Sequence, residues 1–479
     1  MNGVFSYIRE LMKRLFFVFF LLLHFLGFTQ ADIQLNTTLL KSKRLADHLD
    51  VPWDLDMDTE GNLWFVQRNG YLIKLNPSDD VPVLDSVYKV PDVFQSWDNS
   101  GLHAMALHPK FPLIPFIYVY YTDGEFSGKL VRLNYSINVN KIIDTTNLIS
   151  GFGGNSSHNG ARIVFENDNI MYLCMGDAFS RFDFPQDVNS MNGKVLRMDI
   201  NGKAMPDNPF GNLVWSFGHR NPQGLVFGKN NLLYSSEHGT GIDDELNLIE
   251  KGGNFGWPYV EGFCDTPEEM NFCDSANIVE PLVAWTPTDA PCGLAYFDHP
   301  SIPEWNNVLL QTFLKSKRIS VLPLSYDGRT VTSEAYILDY EVGRIRDVFV
   351  APNGKIYYCT SNKETNGASV VQPDDDKIFE LYNPAFNYDT ITNNNIVDGV
   401  IFPNPSVNYL IIDLPIEAYV DVLIYDLLGN LKQEHKAYPD NNWSYFVLDR
   451  INIEKGVYLI KTVLPSGKTN VEKVVFIDN

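Results

Sequence analysis

Arg344 and Arg346 stand two residues apart in Gly343-Arg344-Ile345-Arg346-Asp347-Val348. On a strand, that spacing turns both side chains to one side. Lys315, in the preceding β unit, adds a third cation at the same end of the array. The chain has 37 Lys and Arg against 59 Asp and Glu, a formal charge of −22. In so acidic a protein, three converging cations suit a small ligand that carries several carboxylates, which guanidinium forks grip well. The run Lys315-Ser316-Lys317-Arg318 also reads as a solvated basic face. His158, in Ser156-Ser157-His158-Asn159-Gly160, is of the residue type that titrates near pH ~6.5 and accepts a proton at neutrality. A lone histidine in a turn is more commonly a satisfied structural group. The densest polar stretch is Trp215 to Pro258, where Gly218-His219-Arg220-Asn221 and Glu237-His238-Gly239-Thr240 flank a strand. Asp243-Asp244-Glu245 follows, either as oxygen ligands for a hard cation or as a solvated acidic turn.

The elements that must position these residues are short strands. A turn residue followed by an apolar or aromatic run recurs at Leu63-Trp64-Phe65, Ile117-Tyr118-Val119, Ile170-Met171-Tyr172, Leu232-Leu233-Tyr234, Val308-Leu309-Leu310 and Ile356-Tyr357-Tyr358. From Trp64 through Tyr118, Tyr172, Tyr234, Leu309 and Tyr357 the steps are 54, 54, 62, 75 and 48 residues. Propeller blades occupy roughly 40–50 residues before insertions, and six recurrences imply six blades. The fold class expected is all-β: a six-bladed β-propeller over residues 32–383, an Asn-rich linker over 384–398, and a small β-sandwich over 399–479.

Composition narrows the function. The acidity argues against a nucleic-acid partner, which needs clustered Lys and Arg. Leu15 to Phe28 is a single apolar run of 14 residues after Lys13-Arg14, too short to span a bilayer comfortably. It reads as an export signal over residues 1–31, cleaved near Ala31, leaving no membrane span in the mature protein. Of the five cysteines, Cys264 and Cys273, nine apart in a loop-like stretch, are the expected bridge. Cys292 competes for either partner, and Cys174 and Cys359 fall in strand patterns as buried thiols.

Five motifs together resemble one family: Gly101-Leu102-His103-Ala104-Met105, Ser157-His158-Asn159-Gly160, the Trp215–Pro258 stretch, Ala290-Pro291-Cys292-Gly293 and Gly343-Arg344-Ile345-Arg346-Asp347. The resemblance is to the soluble glucose and aldose sugar dehydrogenases that depend on pyrroloquinoline quinone (PQQ), whose fold is a six-bladed propeller, and it covers residues 46 to 383. It implies that Lys315, Arg344 and Arg346 hold the cofactor's carboxylates, with Asn99, Thr288, Arg220 and Asn221 as further contacts. Arg220 would also stabilise negative charge on the reduced ring. The Gly239 and Thr240 carbonyls would bind a catalytic Ca2+, and Glu245, Asp265 and the Phe255 carbonyl a second, structural one. His158 would be the base that takes the anomeric hydroxyl proton. The chain departs from the family at Ser157, where an aspartate is usual, at Asn99, where a glutamine is usual, and at His103-Ala104, where Leu-Gly is usual.

The tail resembles the type A sorting domain of proteins exported by the type IX secretion system, through Phe402-Pro403-Asn404-Pro405-Ser406, the hairpin around Leu428-Gly429-Asn430, Gly456-Val457-Tyr458-Leu459-Ile460 and the terminal Lys473-Val474-Val475-Phe476. The expected protein is a secreted or cell-surface quinoprotein that oxidises aldoses to lactones and passes electrons to an unidentified acceptor. Its rival is a non-catalytic binding propeller, which Asn99 and Ser157 favour.

Overall fold

Each apolar run punctuated by turn residues becomes a strand. In the computed structural model the described residues are 32–388, apart from 97–98, 180–182 and 365–370, together with 401–402, 409–413, 420–437, 445–449, 453–463 and 469–476. The expected export signal, residues 389–398 of the expected linker and Pro403–Ser406 lie outside them.

β1 (Ile33–Gln34) and β2 (Leu39–Ala46) open the chain. β3 (Pro52–Met57), β4 (Leu63–Gln67), β5 (Tyr71–Leu75) and β6 (Asp85–Lys89) form an antiparallel sheet in chain order. The pattern repeats in β7 (Leu102–Leu107), β8 (Phe116–Gly124), β9 (Ser127–Ser136) and β10 (Lys141–Gly153), then in β11 (Gly160–Asn167), β12 (Ile170–Met175), β13 (Lys194–Asp199) and β14 (Val214–Phe217). It repeats again in β15 (Pro222–Phe227), β16 (Leu233–Glu237), β17 (Asp244–Leu248) and β18 (Val283–Trp285). A fifth sheet holds β19 (Pro291–Phe297), β20 (Val308–Phe313), β21 (Ile319–Pro323) and β22 (Ala335–Ile337). The last contains β23 (Ile345–Val350), β24 (Ile356–Thr360) and β25 (Ile378–Tyr382), and the chain's start completes it, because β2 pairs with β25 and β1 with β2.

The first strand of each sheet packs on the first strand of the next, and β23 returns to β3. A cavity of about 360 Å3 is lined by Asp54, Leu107, Val164, Phe227, Tyr296 and Phe349, one from each of these six strands, so they surround a common axis. The arrangement is propeller-like. The six recurring runs of the sequence are all second strands: β4, β8, β12, β16, β20 and β24. Such strands are buried on both faces and therefore read as continuous apolar runs. In β4, Trp64 and Val66 join the core shared with the next sheet, whereas Leu63 and Phe65 join the core shared with the last one. Burying one such side chain contributes roughly 1.5–3 kcal/mol.

One stretch departs from expectation. The stretch between Cys264 and Cys273, expected as loop, is largely helical, in α1 (Pro267–Ala276). Thr266 accepts from the Glu269 N–H while the Glu269 carboxylate accepts from the Thr266 N–H, and Pro267 occupies the first turn. This capping box satisfies two orphan donors. The expected Cys264–Cys273 disulfide ties the helix to the loop before it. Cys174, Cys292 and Cys359 are buried thiols. Cys292 donates to Gln223 Oε1 at 3.0 Å instead of competing for the bridge. Among the described residues, no helix is long and apolar enough to cross a membrane.

The chain divides into two units between Phe386 and Asn387. The second has a sheet of β26 (Ile401–Phe402), β27 (Tyr409–Asp413) and β30 (Tyr445–Asp449), and another of β28 (Val420–Asp426), β29 (Leu431–Ala437), β31 (Gly456–Val463) and β32 (Thr469–Phe476). Val420, Val422 and Ile424 alternate inward on β28. Asp426 caps the following turn by accepting from the Leu428 and Asn430 N–H groups, and Gly429 supplies the positive φ of 83° there.

Candidate active site

The strand register gathers the site at one end of the ring. In four of the propeller-like sheets the start of the first strand pairs with the end of the second: Pro222 with Glu237, Gly160 with Met175, Pro291 with Phe313, Ile345 with Thr360. Residues just before an inner strand therefore lie beside residues just after its neighbour. Asn99, His158, Arg220, Asn221, Thr288 and Arg344 are of the first kind. Gly239, Thr240 and Lys315 are of the second.

His158 is 12 % exposed at its side chain, and its Nδ1 lies 2.9 Å from Asp177 Oδ1. A carboxylate only accepts, so the proton of this hydrogen bond sits on Nδ1, and Nε2 is the nitrogen that carries the lone pair in the neutral ring. Asp177 is held in turn: Oδ1 accepts the Phe179 N–H at 2.7 Å and Oδ2 accepts Trp257 Nε1–H at 2.8 Å. Gly176 permits this approach, since a Cβ there would collide with the His158 carbonyl. The Arg220 guanidinium lies 5.1 Å from the Trp257 ring and donates to the His238 carbonyl at 2.9 Å. Burial lowers its pKa from the ordinary arginine value. Asn221 accepts the Gly160 N–H at 3.1 Å, which joins the His158 turn to the Arg220 turn. Asn99 belongs to the same group, because its N–H donates to the Ser156 carbonyl at 2.7 Å. Burial, reinforced by the charges of Arg220, His158 and Arg346, pushes His238 down to about 3, so it stays neutral.

Arg346 is fully buried. It stacks 3.9 Å from the Trp53 ring, donates to Gln223 Oε1 at 3.0 Å and pairs with Glu364. Arg344 reaches the same Glu364 oxygen at 2.9 Å. The i, i+2 spacing does bring both guanidiniums to one side, and the structure adds a carboxylate between them. Their charges hold the Glu364 carboxyl at about 2 against the cost of burial. Lys315 is exposed and donates to Thr288 Oγ1 at 3.0 Å, so those two expected contacts meet.

The expected metal residues divide. Asp244 and Glu245 are buried in β17, which overturns the solvated-turn reading for both. Asp244 ties the site's loops together by accepting N–H groups from Gly239, Asp289 and Ala290. Gly239, Glu245 and Phe255 line one small cavity with Glu237, Asp243 and Glu261; its volume of about 10 Å3 is room for one water-sized species. Burial and the neighbouring Glu237 push the Glu245 carboxyl well above its usual range. Thr240 bonds Glu261 through its N–H and hydroxyl. Asp265 is exposed and does not line this cavity. Among the described residues, no group of three or more His, Cys, Asp or Glu is placed to hold a metal ion.

Sequence reasoning missed Asp177, Trp257 and Glu364. Asp177 was legible by position, since it lies two residues past its second strand, as Gly239 and Lys315 do past theirs.

Residues 49–370 match the family model "Glucose / Sorbosone dehydrogenase", and residues 400–477 match "Secretion system C-terminal sorting domain". The chain belongs to the glucose/sorbosone dehydrogenase family. It is 28 % identical to Quinoprotein glucose dehydrogenase B of Acinetobacter calcoaceticus, over 72 % of this chain and 89 % of that one. Aldose sugar dehydrogenase YliI of Escherichia coli is 30 % identical, over 66 % and 88 %. Among solved structures, the PQQ-bound aldose sugar dehydrogenase of Streptomyces coelicolor superposes with a TM-score of 0.62 at 29 % identity, covering 72 % of this chain and 98 % of that one. These relatives are sugar dehydrogenases, one of them a quinoprotein and another solved with PQQ bound.

Proposed function

We propose that this family member is an exported quinoprotein that oxidises aldose sugars at the anomeric carbon to lactones, using PQQ and Ca2+ on a six-bladed propeller. The observation that carries this reading is a histidine–carboxylate pair in the same loop cluster as an under-neutralised arginine pair. The donor set fits a polycarboxylate: Nε of Arg220, Arg344 and Arg346 is buried without a hydrogen-bond partner among the described residues. Lys315, Arg344 and Arg346 would hold the cofactor's carboxylates, with Thr288, Asn99, Arg220 and Asn221 around the ring system. The carbonyls of Gly239 and Thr240 would hold Ca2+, a hard cation that prefers oxygen, and Glu245 and the Phe255 carbonyl, without Asp265, a second one. When bound, the quinone supplies the two-electron oxidant.

The chain's own residues do the rest. Asp177 fixes the ring of His158 so that Nε2 faces its task unprotonated and accepts the anomeric hydroxyl proton. The Asp177 carboxylate stabilises the imidazolium that results. Trp257 holds both Asp177 and the Arg220 guanidinium in place. The C-terminal unit, a β-sandwich beyond the linker, would direct type IX export to the surface or outside. The electron acceptor is a separate partner.

Purified protein supplied with PQQ and Ca2+ and mixed with a panel of aldoses tests the reading by single-turnover absorbance of the quinone. His158→Gln should slow reduction by about 10²–10⁴ while quinone binding persists. Equal rates in the two proteins would make His158 structural. No reduction by the wild type with any sugar would favour the non-catalytic binding propeller.

A further inference from the structure

Beside the His158 turn lies a larger depression that the site above does not use. Its volume is about 600 Å3, well within the range of roughly 300–1,000 Å3 for small-molecule pockets. Phe126 of the β8–β9 turn, Phe152 at the end of β10, and Ala178, Phe184, Asp187 and Asn189 from the segment between β12 and β13 line it. Ala178 connects it to the reacting centre: it follows Asp177, and its N–H donates to the His158 carbonyl at 3.2 Å.

The walls are braced from beneath. Lys194 is fully buried, and its Nζ donates to the carbonyls of Phe184, Pro185 and Asn192 at 2.6, 3.0 and 2.7 Å. The buried Asn192 side chain clamps Gly153 through both its N–H and carbonyl, at 2.8 Å each, and reaches the Gly176 carbonyl at 2.9 Å. Two buried side chains thus tie three chain segments into one preformed cleft, which lowers the ordering cost of binding.

The lining has two chemistries. Phe126 is 65 % exposed, an unfavourable state for an aromatic ring. Asp187 and Asn189 supply the polar side, where Asp187 Oδ1 accepts from both the N–H and the amide of Asn189. Those bonds hold the Asp187 carboxyl below its usual range, so it remains an acceptor. An aromatic face beside fixed hydroxyl-binding groups matches a pyranose, which presents an apolar C–H face and a polar hydroxyl edge.

We infer that this cleft is a second sugar subsite, which takes the adjoining pyranose of a neutral oligosaccharide whose reducing-end unit sits at His158. This rests on the sugar-oxidising reading above. The preferred substrates are then short oligosaccharides rather than free monosaccharides.

The test compares kcat/KM for glucose, maltose and cellobiose in the full-length protein loaded with PQQ and Ca2+, in the wild type, Phe126→Ala and Phe126→Tyr. The wild type should favour one disaccharide over glucose by about tenfold, roughly 1.4 kcal/mol. Phe126→Ala should remove most of that advantage and leave glucose within about twofold, and Phe126→Tyr should retain it. Equal losses on glucose and disaccharide, or a wild type that prefers glucose, would overturn the subsite. If no sugar reduces the quinone, the catalytic reading fails separately, and calorimetric binding of the two disaccharides decides the cleft. Affinity that falls about tenfold in Phe126→Ala supports it; no binding, or binding unchanged by the substitution, overturns it.

Discussion

Two guanidinium clusters meet at β23 with opposite charge balance. Arg162, third in β11, meets Asp54, third in β3, and Asp347, third in β23, at 3.0 Å for the latter. There two carboxylates share one guanidinium. At the end of the ring, Arg344 and Arg346 share one carboxylate, Glu364. The first cluster can relieve its excess internally, because burial raises Asp347 to about 7 and raises Asp54 as well, so a proton can be retained near neutrality. The second has no such route, since a guanidinium does not deprotonate in proteins. Its excess calls for an anion from outside. Arg162 also spends its Nε on the Gln223 carbonyl at 3.2 Å, whereas Nε of both Arg344 and Arg346 is left over. One cluster is built to hold the ring and the other to hold a ligand.

Replacing Arg162 with Met should have the largest effect. It strands two buried carboxylates, a loss of about 3–5 kcal/mol in denaturant unfolding. The loss should be larger at pH 8 than at pH 5. Asp347 binds its proton more tightly folded than unfolded, so protonation relieves the folded state until pH rises through about 7. A pH-independent loss under about 1 kcal/mol would show that this cluster is not structural.

Arg344→Ala should leave stability nearly unchanged and weaken quinone binding by about 1.5–3 kcal/mol, the worth of one charge-assisted hydrogen bond. Lys317→Ala should do little. Equal losses in a quinone titration would reduce the site to a diffuse positive patch and erase the contrast between the clusters.

Glu364→Gln should cost about 1–3 kcal/mol, because an amide keeps one acceptor oxygen for the two guanidiniums. The same variant should bind the quinone more tightly, since an internal competitor is gone. The Glu364 carboxyl is held at about 2 in the folded protein, against roughly 4.3 in an unfolded chain. Its contribution is therefore full above pH ~4.3 and lost as pH falls towards about 2, so the variant's acid unfolding curve should be flatter in that window. Weaker quinone binding in Glu364→Gln would mean that Glu364 positions the arginines instead of competing for them.

Much of this was legible along the chain. The second strands announce themselves as apolar runs because they are buried on both faces, and the Arg344/Arg346 spacing alone puts the two guanidiniums together. α1 was also legible, through the capping signature Thr266-Pro267-Glu268-Glu269. The position of Asp177 past β12 was legible, but its pairing with His158, like that of Glu364 with Arg346, was not, because the partners lie 19 and 18 residues apart, beyond any local period.

The sequence by itself determined the repeating β units, the polar clusters between them and the two-unit order, since each follows from local periodicity or turn chemistry, while the structure decided the Cys264–Cys273 bridge over a pairing with Cys292. Only the tertiary structure decided which charges cancel. Closing the ring brings Asp54 to Arg162 and Asp347 across more than a hundred positions and leaves Arg344 with Arg346 one carboxylate short. Charge balance is a property of three-dimensional neighbours in a low-dielectric interior, and no reading along one strand contains it.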